Sequence, residues 1–496
     1  MTPAQPGDET HRPMRVAIIG SGFSGIAAAI ALKKQGIEDF TIFEQSPGIG
    51  GTWWHNRYPG AEVDLESHIY SFSFERYDWT RTHAGWREIQ GYLEYVVGKW
   101  GLFEKIRFEE KVETVTWSDK DRHYDITTSS GTDYRPFTAV ISAVGFLNIP
   151  LLPPFARGES EFKGAMCHTS RWLDGLDMTG KTVGIVGTGS SAVQIVTEAE
   201  KCASAVKVFQ LEPNWILPKG SRDFTPRERA WHRFAPVYAW KRCKLYLQYD
   251  IRQIRAGHAR SDGRANQHRR HQAIEFMNRC LANRPDLLKL VTPEFPFEAR
   301  RTVVSDTYYA SLQSPKVTLV PHGVKGITST GVIDAAGDSH DLDIIVLATG
   351  FDAANYLGNY RVSGRGGADL HEQWHGEPEA FLGMMVPGFP NFFMMYGPNT
   401  NAIPLVSFYE AQAGFITNLI HRIAKSEGSV AEVRRWAFVA YNDWLQSRLA
   451  KTVWATTTNY FQAGSGRIVS QWPFSASAYI MATKLGRRLV AITRPR

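Results

Sequence analysis

A short apolar run, Val16 to Ile19, leads into Gly20-Ser21-Gly22-Phe23-Ser24-Gly25 and then into an alanine-rich stretch. The same order returns at Gly187-Thr188-Gly189-Ser190-Ser191-Ala192, again with an apolar run before it and a helical pattern after it. GxGxx(G/A) carries meaning only in this setting, where a strand turns tightly into a helix. The first glycine permits the turn, and the second lets a pyrophosphate approach the backbone. The third position, glycine or alanine, lets helix and strand pack closely. Unpaired N–H groups at the helix N-terminus then face the phosphates. A second strand, DFTIFEQS, ends at Glu44, where a carboxylate can accept ribose hydroxyls. Two such loops predict two dinucleotide sites, hence an α/β fold with two Rossmann-like domains.

At 496 residues the chain is too long for one ordinary core. Two further apolar runs, TAVISAVGFLNIP and DIIVLATGFDA, each end in Gly-Phe and read as strands that close a dinucleotide domain and hand the chain to its neighbour. Late in the chain, GFPNFFMMYGPNTN offers another strand and a turn where a flavin ring could rest. These positions predict nesting. An FAD-binding domain occupies residues 14–150 and resumes at 385–496, where it carries a C-terminal lid. An NAD(P)-binding domain lies between, as 151–220 and 298–384. Residues 221–297 form a helical insertion, rich in arginine, histidine and aromatics. It has helical spacing and no nucleic-acid-binding motif, so it reads as a solvated layer over the NAD(P) domain.

The remaining composition mostly excludes. A content of 43% hydrophobic and 21% charged residues is globular. A net charge of +7 fits phosphorylated cofactors, nucleic acid or a membrane surface and cannot choose among them. The four cysteines lie far apart, with no CxxC pair and no zinc spacing, so a reduced cytoplasmic protein without a metal site is expected. MTPAQPGDETHRP lacks an apolar core and reads as a disordered leader rather than a signal peptide. No run of about 18 apolar residues suggests an integral membrane span.

The stretch GGTWWHNRYPGAEVD, residues 50–64, fits neither strand nor helix, yet it holds two indoles that demand burial. With it the chain resembles the type I Baeyer–Villiger monooxygenases, within the class B flavoprotein monooxygenases. The family pattern (A/G)GxWxxxx(F/Y)P(G/M)xxxD is met by Gly50, Gly51, Trp53, Tyr58, Pro59, Gly60 and Asp64. A second pattern, FxGxxxHxxxW followed by Pro or Asp, is met by Phe162, Gly164, His168 and Trp172, with Leu173 at the last place and Asp174 one place late. The resemblance covers residues from about 14 to about 485.

The resemblance implies an enzyme that uses FAD, NADPH and O2 to insert one oxygen atom beside the carbonyl of a small-molecule ketone, giving an ester or lactone. It implies a C4a-peroxyflavin stabilised by Arg301, with Asp64 orienting the guanidinium. Arg300 aligns with a lysine that contacts the NADP phosphate. Thr52 and Trp53 would contact the flavin, with Tyr70 and Val112 beside them, and Tyr58-Pro59-Gly60 would turn the chain back beneath it. His168 would lie in a linker between the domains and couple cofactor binding to domain rotation, with Trp172 packed against it. Asn459-Tyr460-Phe461 stands where the family has Ser-Trp-Tyr and implies a gating lid.

One departure concerns the nicotinamide cofactor. Where the family reads Phe-Gln-Arg-Thr-Pro, this chain reads Phe-Gln-Leu211-Glu212-Pro. A leucine cannot pair with a 2′-phosphate, and a carboxylate suits a 2′-hydroxyl. NADPH is the expected donor, and NADH the alternative. Other readings are an N- or S-oxygenating flavin monooxygenase, a flavin disulfide reductase, disfavoured by the missing CxxC, and a non-catalytic nucleotide-binding protein. Whether Trp54, His55 and Arg57 face the substrate or the surface stays open, as does the choice between monomer and homodimer.

Overall fold

A computed structural model describes residues 14–157, 161–256 and 263–494; the leader expected at the N-terminus lies outside them. Two five-stranded parallel sheets organise the chain. In the first, the order is Phe392–Met394, Ala139–Ser142, Val16–Ile19, Phe40–Phe43 and Ile106–Arg107. In the second it is Val317–Val320, Ala205–Phe209, Thr182–Val186, Ile344–Leu347 and Ala165–His168. Their central strands are buried along their whole length, as parallel strands covered on both faces must be. Each sheet has its own hydrophobic core, one centred on Val16–Ile19 and the other on Val183, Ile185 and Val206. This is the two-site dinucleotide-binding fold that the paired glycine loops predict.

Each glycine loop does what its chemistry requires. A Cβ on Gly25 would lie 1.9 Å from the Gly20 carbonyl oxygen, so the helix Phe23–Lys34 can start where it does only with glycine there. In the second unit Ala192 fills the same place, fully buried at the start of the helix Ser190–Cys202.

The insertion differs from a layer over one domain. Its second half, with Phe276, Met277, Leu287 and Val291, joins the core of the second unit. Its long helix, Ala235–Ala256, is instead fastened to the first unit. Arg242 donates to the His68 carbonyl, Tyr249 to Glu66, and the Trp79 indole to Tyr238. The reason is chemical: apolar and hydrogen-bonding residues recur along one side of this helix and need a partner surface.

Burial also sets an acid limit. Burial pulls His68 from its ordinary 6.5 to about 3, and His83 and His168 to about 4. The unfolded chain therefore binds more protons below pH 6.5, and stability is lost as pH falls toward these values. We expect a loss of about 2 kcal/mol per histidine at about pH 5. Urea midpoints measured across that range test it, and a flat profile would contradict it.

Candidate active site

One cavity of about 520 Å³ opens between the two units. From the first unit it is lined by Gly20–Ser24, Glu44, Gly51–Trp53, Asp64, Tyr70 and Val112. From the second come Ser190, Ser191, Arg300 and Arg301. Gly25, Gly187, Thr188, Gly189 and Ala192 are not among its lining residues.

The walls fit a dinucleotide. Glu44 is buried at the end of its strand, where one carboxylate oxygen accepts from Ser21 N at 2.9 Å and Ser21 Oγ at 2.7 Å, the other from Ser46 N at 2.9 Å. The oxygen that accepts only from Ser46 still has capacity for a ribose hydroxyl. A Cβ on Gly51 would come within 3.1 Å of Gly22 Cα, so the two loops pack bare backbone against bare backbone. Ser190 Oγ, Arg300 Nε and Thr302 Oγ1 are buried at the same cavity without a protein partner, an arrangement that bound ligand oxygens would satisfy.

The aromatic loop divides by face. Trp53 is buried, and its indole donates to Tyr70 at 3.1 Å. Burial pushes the Tyr70 phenol up to about 12. His55 lines the cavity, its ring 3.0 Å from an Arg171 nitrogen. Burial, and then the charges of Arg171 and Arg57, hold its pKa down at about 4. Trp54 and Arg57 turn away together: the guanidinium lies 4.9 Å over the indole and 3.5 Å from Asp174. The displaced aspartate of the second pattern thus meets the first.

Tyr58 does more than turn the chain. It is buried in the core of the second unit, donates to Gln194 Oε1 at 2.7 Å and accepts from Ser191 Oγ at 3.1 Å. The Tyr-Pro-Gly turn therefore straps the first unit to the second glycine-loop helix rather than simply running beneath the flavin position.

Asp64 meets Arg301 with 2.5 Å between Oδ2 and Nη2. Both lie at the cavity wall. Burial lowers the guanidinium pKa, but the charge and hydrogen bond of Asp64, joined by Tyr460, outweigh it and raise the pKa above its ordinary value. Arg301 is therefore a permanent cation.

Three other supports were not legible in the sequence. Asn459 donates to the Ala299 carbonyl at 3.0 Å, which ties the C-terminal segment to the loop that carries Arg301 and sets Tyr460 beside the guanidinium. Arg269, from the insertion, pairs with Glu298, a residue at φ 65°. Asn266 donates to the Phe297 carbonyl at 2.7 Å. The insertion and the C-terminal segment thus grip the same loop. Arg300 is paired with Glu212, while Leu211 stands 82% exposed.

His168 calls for a correction. It is not in a linker: it ends the edge strand Ala165–His168, paired with Leu347. Its ring packs edge-on to Phe351 at 5.8 Å, not on Trp172, which lies against the second core. Its Nδ1 accepts from Ser170 N at 3.1 Å, and burial keeps the ring neutral at pH 7. Phe162 and Gly164 are a packing pair, since a Cβ on Gly164 would strike the Phe162 ring at 2.5 Å.

Comparison with known proteins agrees with this geometry. A family model described as pyridine nucleotide-disulphide oxidoreductase matches residues 17–277. A Baeyer-Villiger monooxygenase of Pseudomonas aeruginosa is 34% identical over 97% of this chain and 93% of its own. A Baeyer-Villiger monooxygenase of Streptomyces coelicolor is 33% identical over 96% and 92%. The solved structure of an oxidized steroid monooxygenase bound to NADP superposes with a TM-score of 0.86 at 27% identity, covering 97% of this chain and 99% of that one.

All four cysteines are free, and burial pushes the Cys167 thiol up to about 11, so the disulphide chemistry in the family model's description has no counterpart here. With these relatives, the two-site fold is that of a flavoprotein monooxygenase. The chain belongs to the type I Baeyer–Villiger monooxygenases of the class B flavoprotein monooxygenase family.

Proposed function

We propose that this enzyme inserts one oxygen atom from O2 beside a ketone carbonyl, yielding an ester or lactone, and that Arg301 is the charge on which the step depends. Bound FAD supplies hydride acceptance from NADPH and the activation of O2. The observation that carries the reading is the cationic Arg301, fixed by Asp64 and facing the cavity.

A guanidinium held in place before the reaction stabilises negative charge that builds on oxygen without reorganising. An oxygen that adds to a carbonyl must be held as an anion beforehand, and addition then moves that charge onto the carbonyl oxygen. Transfer of oxygen to an amine or sulfide does not require a fixed cation in this way, so the ketone reading is favoured over N- or S-oxygenation. Trp53, Tyr70 and Tyr396 wall the cavity against water.

NADPH oxidation across aliphatic, cyclic and aryl ketones, with product analysis, tests the reading. Ester from at least one class supports it. Uncoupled peroxide with every ketone, alongside clean oxygenation of amines or sulfides, would overturn it.

Arg300 is the cation placed for the 2′-phosphate of NADPH, but Glu212 already holds it. Glu212→Gln should release the arginine and tighten NADP+ binding by about tenfold, on the order of one ion pair's worth of free energy. The same substitution should leave NAD+ binding unchanged or weaker, since a ribose hydroxyl meets a neutral acceptor in place of a charged one. Calorimetric titration of both nucleotides measures this. Equal effects on the two would show that Glu212 does not read the 2′ position.

A further inference from the structure

The helix Ala235–Ala256 has a second face that the reaction does not use. Tyr238, Arg242, Leu245, Tyr249 and Gln253 point inward, and at 100° per residue the opposite side carries Trp240, Lys244, Leu247, Ile251 and Ile254. Those four apolar residues are 64%, 49%, 43% and 64% exposed. Trp231 and Phe234, just before the helix, are exposed as well. Single exposed apolar residues are ordinary, whereas a continuous ridge of them marks a contact surface.

Charge indicates the partner. Residues 221–297 hold sixteen Lys and Arg against seven Asp and Glu, a net +9 in a chain of +7, so the rest of the molecule is slightly negative. The helix has one carboxylate, Asp250, and it is turned inward to accept from Ser477 N at 3.0 Å. On the outer face Lys244 lies 5.3 Å over the Trp240 ring. A second copy of the chain would bring one basic segment against another. Nucleic acid would meet the basic residues but leave the apolar tips facing phosphate. An anionic lipid surface satisfies both, because aliphatic tips and indoles enter the headgroup boundary while Lys and Arg meet lipid phosphates.

We propose that this face docks the enzyme peripherally on anionic membranes. No described helix is long and apolar enough to cross one, so the association is reversible and interfacial. The inner side of the same helix contributes Tyr249, Arg252 and Gln253 to the cavity wall. Docking therefore holds the cavity wall within one helix's width of the lipid, where ketones of low water solubility collect. That last point rests on the ketone reading; the docking surface does not.

The test is co-sedimentation of the FAD-loaded full chain with vesicles of phosphatidylcholine alone and of equal parts phosphatidylcholine and phosphatidylglycerol. The expected result is binding to the mixed vesicles, weakened by salt, with little binding to the neutral ones. Trp240→Ser with Leu247→Ser and Ile254→Ser should lower the partition coefficient by about a hundredfold, while FAD content and turnover of a water-soluble ketone stay the same. Lys244→Glu alone, a milder change, should also weaken binding. The proposal is overturned if the wild type stays in solution with anionic vesicles, or if the triple variant binds them equally well. It is also overturned if sedimentation velocity shows a dimer that the triple variant dissolves, or if the face proves to bind a DNA duplex in preference to lipid.

Discussion

Arg301→Ala is expected to leave flavin reduction by NADPH near the wild-type rate while ester formation falls by about a hundred- to a thousandfold. The magnitude is that of removing one preorganised charge-stabilising donor from an active site. Reduction should be spared because Arg301 makes none of the contacts that hold Ser21, Gly22, Glu44 and Gly51 at the proposed FAD site. Stopped-flow reduction and product yield, measured on one preparation, separate the two steps. Ester formation at wild-type yield would remove Arg301 from its assigned role, and loss of reduction would make that role structural.

Asp64→Asn keeps the shape and removes the charge. The guanidinium then loses its charge-assisted partner and retains only Tyr460, so it samples other positions along the cavity wall. We expect kcat for ester formation to fall by about tenfold to a hundredfold, less than for Arg301→Ala, since a misplaced cation still acts in part. KM for the ketone should change little, because Asp64 acts through Arg301. In the double variant the two losses should not add, as expected for residues that act as a unit. Full additivity would show that Asp64 acts independently of Arg301.

What could be read from the chain beforehand was mostly local. Each glycine loop, with its flanking strand and helix, is contained in about twenty residues and is fixed by steric demands that have few solutions. The carboxylate of Glu44 follows from the same geometry. The pairing of Asp64 with Arg301 spans 237 positions, and no periodicity encodes it; only the resemblance to a family placed the two together.

The errors were also of long range. The resemblance implies a linker for His168, and the four residues AMCH are too short a run to show an edge strand from sequence. Phe351 replaced Trp172 as its neighbour because the choice was made by the adjacent strand Ile344–Leu347. The strap from Tyr58 to Gln194 and the clamp from Asn459 to Ala299 are hydrogen bonds between elements far apart in sequence, and neither residue type announces its partner. The insertion reads from its helical spacing as a solvated layer over the NAD(P) domain, although its regularly spaced inward residues grip both units.

The most direct measurement supplies the FAD-loaded enzyme with NADPH, a ketone and isotopically heavy dioxygen, then locates the label by mass spectrometry of the product. The expected product is an ester or lactone with a single heavy atom, in the bridging oxygen, and a wild-type carbonyl oxygen that is light. A product labelled on nitrogen or sulfur from a competing substrate, with the ketone recovered unchanged, would contradict the function assigned to Arg301 and its cavity.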